Sequence, residues 1–241
     1  LLKDIKYLIL NNYKNLDQSY EIIRFCKALA TQCFINEYLY DSSKKDKNLC
    51  KKLSENIEID LIKGIQPSKI ELLCLACFNS LSEYKWHKML AVPKELETLF
   101  NIQIFEGNRE RFLENEMKSL SEVSHDVSLK VREQYEENPY PRWIKTELSY
   151  EQTSMEEFAN KVGIKFDNRS FKNSDNLKIL IAGCGTGQHS ILTSSRFKNS
   201  KITAIDLSKK SLAYAKRKTE ELGIKNIEYY QADILELKNT F

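Results

Sequence analysis

The chain has 241 residues, 41% of them hydrophobic, and a formal net charge of +3. That length allows one large or two modest domains, and a charge so near balance leaves no basic footprint for nucleic acid. No apolar run is long enough to span a bilayer, and Lys3 and Asp4 interrupt the first residues where a secretory signal needs an apolar stretch. The expectation is a cytosolic protein with no membrane insertion. The six cysteines (Cys26, Cys33, Cys50, Cys74, Cys77, Cys184) do not make a disulfide scaffold in a chain of this size. Cys74 and Cys77 lie inside the apolar run Glu71-Leu-Leu-Cys-Leu-Ala-Cys-Phe78. No second pair and no suitably spaced histidine completes a metal site, so they read as core packing.

Residues 2–40 read as helix, with Tyr20, Ile23, Lys27, Ala30, Phe34 and Tyr38 recurring at helical spacing. Asp41–Asn48 is polar and charged and reads as an exposed loop. A second helix covers 48–63 and stops near Gly64. Ser68 with Glu71 three residues later forms a capping box that starts a helix running to about Tyr84. Trp86, Leu90, Leu96, Leu99 and Phe100 continue the helical core, His87 reads as structural, and Asn108–Met117 suits a surface helix. Residues 1–125 are therefore expected to form a helical module, a candidate surface for homodimerisation or for presenting substrate.

Residues 126–176 form a helix and a proline-rich connector. The helix that starts at Val127 breaks at Asn138-Pro139, and Pro139 and Pro141 force an extended path. Tyr140, Arg142 and Trp143 stand on that stiff segment. Two roles are open to them: a rigid linker with packed aromatics, or a lid whose aromatic faces and Arg142 meet a ligand. Residues 146–176 mix helix with polar connector, ending in the loop Phe171–Asn176. A strand at 177–182, a helix at 188–196, a strand at Lys201–Ile205, a helix from the Ser208 cap to Leu222 closed by Gly223, and a strand at Ile227–Ala232 follow. The order βαβαβ implies right-handed crossovers and a parallel sheet.

Lys178-Ile-Leu-Ile-Ala-Gly-Cys-Gly-Thr-Gly-Gln-His-Ser190 carries the chemistry. An apolar strand ends in Gly183, Gly185 and Gly187, and a helix begins at once. Gly183 permits the turn, Gly185 lets backbone approach a ligand, and Gly187 lets the helix start close to the strand. The helix N-terminus offers unpaired N–H groups and a partial positive charge to a carboxylate or phosphate. A dinucleotide loop would place glycine where Gln188 stands. Asp206 ends the second strand, where a carboxylate meets the ribose hydroxyls of an adenosine cofactor.

Gly183–Gly187, Ala204-Ile-Asp-Leu-Ser208 and Ala232-Asp-Ile-Leu235 resemble motifs I, II and III of the class I S-adenosylmethionine (SAM) methyltransferases. The resemblance covers about 177–237 and implies a Rossmann-like α/β domain that binds SAM. On it, SAM's carboxylate faces Gly183, Cys184, Gly185, Thr186, Gly187 and Gln188. Asp206, Leu207 and Ser208 form the ribose station, and Ala232, Asp233 and Ile234 the adenine station. Val131-Arg-Glu-Gln-Tyr-Glu-Glu-Asn-Pro-Tyr-Pro-Arg-Trp143, placed behind a helical module, resembles a bacterial group that includes the rickettsial lysine methyltransferases of outer-membrane proteins. This implies a protein-lysine N-methyltransferase, with Tyr140, Arg142 and Trp143 near the cofactor. A lysine nucleophile must lose its proton, which an apolar slot favours, and Tyr135, Tyr140 and Trp143 are the candidates to line one. No catalytic base is assigned. The alternatives are a methyltransferase of another substrate class, a nicotinamide oxidoreductase, and a non-catalytic SAM-binding scaffold. Residues 177–241 hold only the first half of such a domain, so the sheet is expected to expose an apolar edge and the chain to be part of a longer protein.

Overall fold

The computed structural model describes residues 2–39, 42–137, 139–149, 151–164 and 176–237. The chain divides into two units, Leu1–Asn108 and Arg109–Phe241. Residues 109–125, expected in the helical module, thus fall in the second unit.

The first unit is helical. Its helices are α1 (Leu2–Asn12), α2 (Tyr20–Ile35), α3 (Lys44–Ile62), α4 (Lys69–Ala76) and the short α5 (Glu97–Phe100). The single helix expected over 2–40 is two, separated by a tight turn at Tyr13–Asn15. Of the loop expected over 41–48, Asp41 lies outside the described residues and residues 44–48 are helical. Ser43 and Asp46 form a reciprocal capping box that launches α3. The Ser68–Glu71 box starts α4 as expected, but α4 stops at Ala76, well short of Tyr84. Gln103, 1% exposed, explains the stop. Its amide donates to Ala76 O at 3.2 Å and accepts from Leu81 N at 3.0 Å, satisfying backbone groups that a longer helix would have paired internally. Short 3-10 turns at Leu81–Glu83 and Lys85–Met89 replace the expected helix. His87 holds Tyr84 O through Nδ1 at 2.8 Å.

Cys26, Cys33, Cys50, Cys74 and Cys77 are free and buried in this unit's core. Burial, with Asp46 adding and Lys6 opposing, pushes the Cys50 thiol up to about 12, and burial pushes Cys74 up as well. An unfolded thiol ionises near pH 8.5. The folded chain therefore keeps protons that the unfolded chain releases, so these thiols stabilise fully below about pH 8.5 and progressively less as pH rises toward about 12. Urea unfolding is expected to give lower stability at about pH 10 than at about pH 8. Equal stability at both values would mean the thiols reach water.

The second unit carries α6 (Glu106–Asn115, starting just before the boundary), α7 (Asp126–Glu137), α8 (Met155–Val162), α9 (Gln188–Arg196), α10 (Lys209–Glu221), and three strands, β1 (Leu177–Ala182), β2 (Ser200–Asp206) and β3 (Ile227–Gln231). The sheet is parallel in the order β1-β2-β3, with Ile181 beside Ala204 and Asp206 beside Gln231. Ile181, Ile202, Ala204, Leu212, Ala215 and Tyr229 form its core. Among the described residues β1 pairs on one side only, and Leu180 on it is 44% exposed. Lys118–Leu120 runs beside the end of β3, with Gln231 N donating to Lys118 O and Leu120 N donating to Gln231 O, each at 2.9 Å. The expected loop at 171–176 lies, apart from Asn176, outside the described residues. No helix among the described residues is long and apolar enough to cross a membrane.

Candidate functional site

Pairing continues past the strand ends. Cys184 N donates to Ile205 O and Ala232 N to Asp206 O, each at 3.0 Å, which sets the three following loops side by side at the C-terminal edge of the sheet. In open parallel sheets this edge is where ligands bind. Gln231 braces it: its amide donates to Leu207 O at 2.9 Å and accepts from Ser119 Oγ at 2.8 Å. Ser121 Oγ accepts from Asp233 N at 2.9 Å and fixes the tip of the third loop.

Gly183, Gly185 and Gly187 all take left-handed φ values, +69°, +52° and +83°. A Cβ on Gly185 would meet nothing within 4 Å, so that position leaves open room for a ligand. A Cβ on Gly187 would lie 2.5 Å from Ala215 Cβ and 3.1 Å from Tyr229 OH. Its smallness therefore serves the approach of α10, whereas the sequence suggests a close approach to the preceding strand. Asp206 ties the loop to β2: Oδ2 accepts from Gly185 N at 2.8 Å and Oδ1 from Ser208 N at 3.0 Å.

A cavity of about 680 Å³ opens here. Of the expected residues, Gly183, Cys184, Gly185, Thr186, Gln188, Asp206, Leu207, Ala232, Asp233, Ile234 and Tyr140 line it. Gly187, Ser208, Arg142 and Trp143 do not. Gly187 is occupied by packing against α10. Ser208 is fully buried, capping α10 by accepting from Ser211 N at 3.1 Å and donating to Tyr135 O at 3.2 Å. Arg142 pairs with Glu110 at 3.2 Å, and Glu110 also holds Arg217 at 2.8 Å. Trp143 is buried edge-on against Tyr214, with ring centroids 6.1 Å apart. Of the two roles open to this segment, Arg142 and Trp143 take that of a packed linker. Tyr140, 61% exposed at the cavity mouth, keeps the outward position.

Sequence reasoning misses part of the lining. Ser128, Val131 and Tyr135 form a wall from one face of α7. Their i, i+3, i+7 spacing is a readable signal, though only Tyr135 stands out in the sequence as a site residue. Pro141, His189, Ile205, Ser211 and Leu235 complete the lining. Glu136 accepts from Lys209 N at 2.6 Å and so anchors α7 to the N-terminus of α10.

Two carboxylates, Asp206 and Asp233, line the cavity, and no lysine or arginine does among the described residues. Asp233 is 2% exposed. Its Oδ1 accepts from Leu235 N at 3.0 Å, while its buried Oδ2 has no partner among the described residues. Burial and the nearby Asp206 push the Cys184 thiol up, out of the range of a reactive thiolate.

Residues 173–241 match the family model of a methyltransferase domain. The chain thus pairs a helical N-terminal part with a methyltransferase domain built on a small parallel sheet. No curated protein matches it. Two solved structures are similar in part. One is a coclaurine N-methyltransferase bound to N-methylheliamine and S-adenosylhomocysteine (SAH), 14% identical, with 91% of this chain and 51% of that chain covered at a TM-score of 0.28. The other is a point mutant of MtNAS, 11% identical, with 90% of this chain and 68% of that chain covered at a TM-score of 0.24. The chain spans about half the length of the first, and overlap this slight says nothing about chemistry.

Proposed function

We propose that the protein is a SAM-dependent methyltransferase that modifies lysine side chains of a protein substrate, an outer-membrane protein in the bacterial setting its proline-rich segment suggests. The observation that carries the cofactor half is Asp233 Oδ2. A buried carboxylate oxygen without a donor costs free energy, and in a cavity wall a ligand N–H relieves that cost. An adenine amino group supplies such a donor. The carboxylate of Asp206 keeps lone pairs beyond its two backbone bonds, enough to accept from ribose hydroxyls. The open space at Gly185 and the first turn of α9 suit a carboxylate. When bound, SAM supplies a methyl group already activated on a sulfonium.

The acceptor half rests on the mouth. Tyr135 and Tyr140, 39% and 61% exposed, stand there with Val131, Ile234 and Leu235. Aromatic faces attract an ammonium. An apolar collar strips its water and lowers its pKa, which favours the neutral amine that a lysine must present. A lining with carboxylates and no lysine or arginine among the described residues opposes an acidic or phosphorylated acceptor. In this reading the protein acts in the cytoplasm, and the helical unit pairs two copies or presents the substrate.

The test is transfer of labelled methyl groups from SAM to bacterial proteins, followed by mapping of the modified residue. Label on lysine is the expected result. Label on RNA or a small molecule would remove the lysine assignment, and binding of SAM without transfer to any acceptor would favour a non-catalytic scaffold.

A further inference from the structure

Thr186, the middle residue between Gly185 and Gly187, is gripped from outside its own loop. Its Oγ1 donates to Pro141 O at 2.8 Å, and its carbonyl accepts from Trp143 Nε1 at 3.1 Å. These bonds run in opposite directions between the same two segments, so they fix both the position and the orientation of the Thr186 peptide. Thr186 is 3% exposed and Trp143 8% exposed. Trp143 is itself held on its far side. Tyr214 OH donates to Trp143 O, and Lys218 Nζ donates to Ile144 O at 2.9 Å while lying 5.2 Å from the indole centroid. Residues 141–144 therefore bridge α10 to the glycine loop.

Three left-handed glycines make a loop that is easy to bend and costly to order. Whatever holds it in one conformation before a ligand arrives lowers the cost of binding. From this we infer that Trp143 is a positioning residue for the cofactor: it is not part of the lining of the cavity at the glycine loop, but it pre-orders that loop through Thr186. The inference rests on the proposed SAM site and adds to it a segment outside the three cofactor motifs.

Titration of SAH into the wild type and into Trp143→Phe by calorimetry tests it. Phenylalanine keeps an aromatic ring beside Tyr214 and removes the indole donor. One lost hydrogen bond predicts an affinity about fivefold weaker. Tyr214→Phe breaks the bond to Trp143 O but leaves the indole donor, and is expected to change affinity less than about twofold. A second measurement needs no variant that might misfold at this position. The indole N–H signal of Trp143 in the wild-type protein, told apart from that of Trp86 by Trp86→Phe, is expected to shift and exchange more slowly once SAH is added. SAH binding by the wild type with unchanged affinity in Trp143→Phe and an unmoved indole signal would overturn the positioning role alone. Failure of the wild type to bind SAH would overturn it together with the cofactor reading.

Discussion

Asp233→Asn is expected to weaken SAH binding by at least about tenfold while leaving the fold intact. The two oxygens of Asp233 do separate jobs. Oδ1 caps the turn after β3 by accepting from Leu235 N, and an asparagine oxygen can take that bond over. Oδ2 has no partner among the described residues. Replacing it with an NH₂ group turns an acceptor into a donor, which cannot meet an adenine amino group. A hydrogen bond to a charged group contributes about 1.5–3 kcal/mol, and about 1.4 kcal/mol is tenfold in affinity. The unpartnered carboxylate oxygen costs stability in the ligand-free chain, so the thermal midpoint of Asp233→Asn should equal or exceed that of the wild type. Calorimetry and a melting curve on the same preparation check both halves. Unchanged SAH affinity would remove Asp233 from the site.

Gly187→Ala is expected to cost about 2–5 kcal/mol of stability by denaturant unfolding. A left-handed φ costs a residue with a Cβ about 1–2 kcal/mol, and overpacking a tight contact adds about 1–3 kcal/mol. Both apply at this position. The new methyl would sit 2.5 Å from Ala215 Cβ and 3.0 Å from Ala215 Cα. Neither atom can swing aside, because Ala215 is fully buried on α10. Gly185→Ala is the internal control: its φ is also positive, but its Cβ would meet nothing within 4 Å. Only the conformational part of the cost applies there, about 1–2 kcal/mol. Equal losses at the two positions would show that Gly187 is not a packing glycine.

The contrast between these two glycines marks what is legible in a sequence. Local grammar is readable. An apolar run followed by alternating glycines yields β1, the turn and α9, with both element boundaries where expected. Ser208 and Gly223 bracket α10, and Ser68 with Glu71 starts α4. Features that depend on a distant partner are not readable. α4 ends at Ala76 because Gln103 supplies the missing hydrogen bonds, and nothing near Ala76 announces that. Lys118–Leu120 lies along β3 through backbone bonds, which almost any residue type can make. Ser43-x-x-Asp46 is a legible signal hidden by its lysine-rich surroundings, with aspartate standing where a capping box more often carries glutamate.

The proline-rich segment shows the limit most clearly. Pro139 and Pro141 fix its path, but the direction of each side chain depends on what packs beside it. Tyr140 faces the cavity mouth, while Trp143, three residues on, turns inward to Thr186 and Tyr214. Arg142 looks suited to a ligand and meets Glu110 instead. Composition alone does not separate a lid from a linker, because Tyr140 goes to the mouth while Arg142 and Trp143 anchor the segment.

A SAM site at the glycine loop is tested most directly by a pair of calorimetric titrations on this chain, one with SAH and one with NAD. Saturable one-to-one binding of SAH and no heat of binding with NAD is the expected result. Tight NAD binding without SAH binding would contradict it.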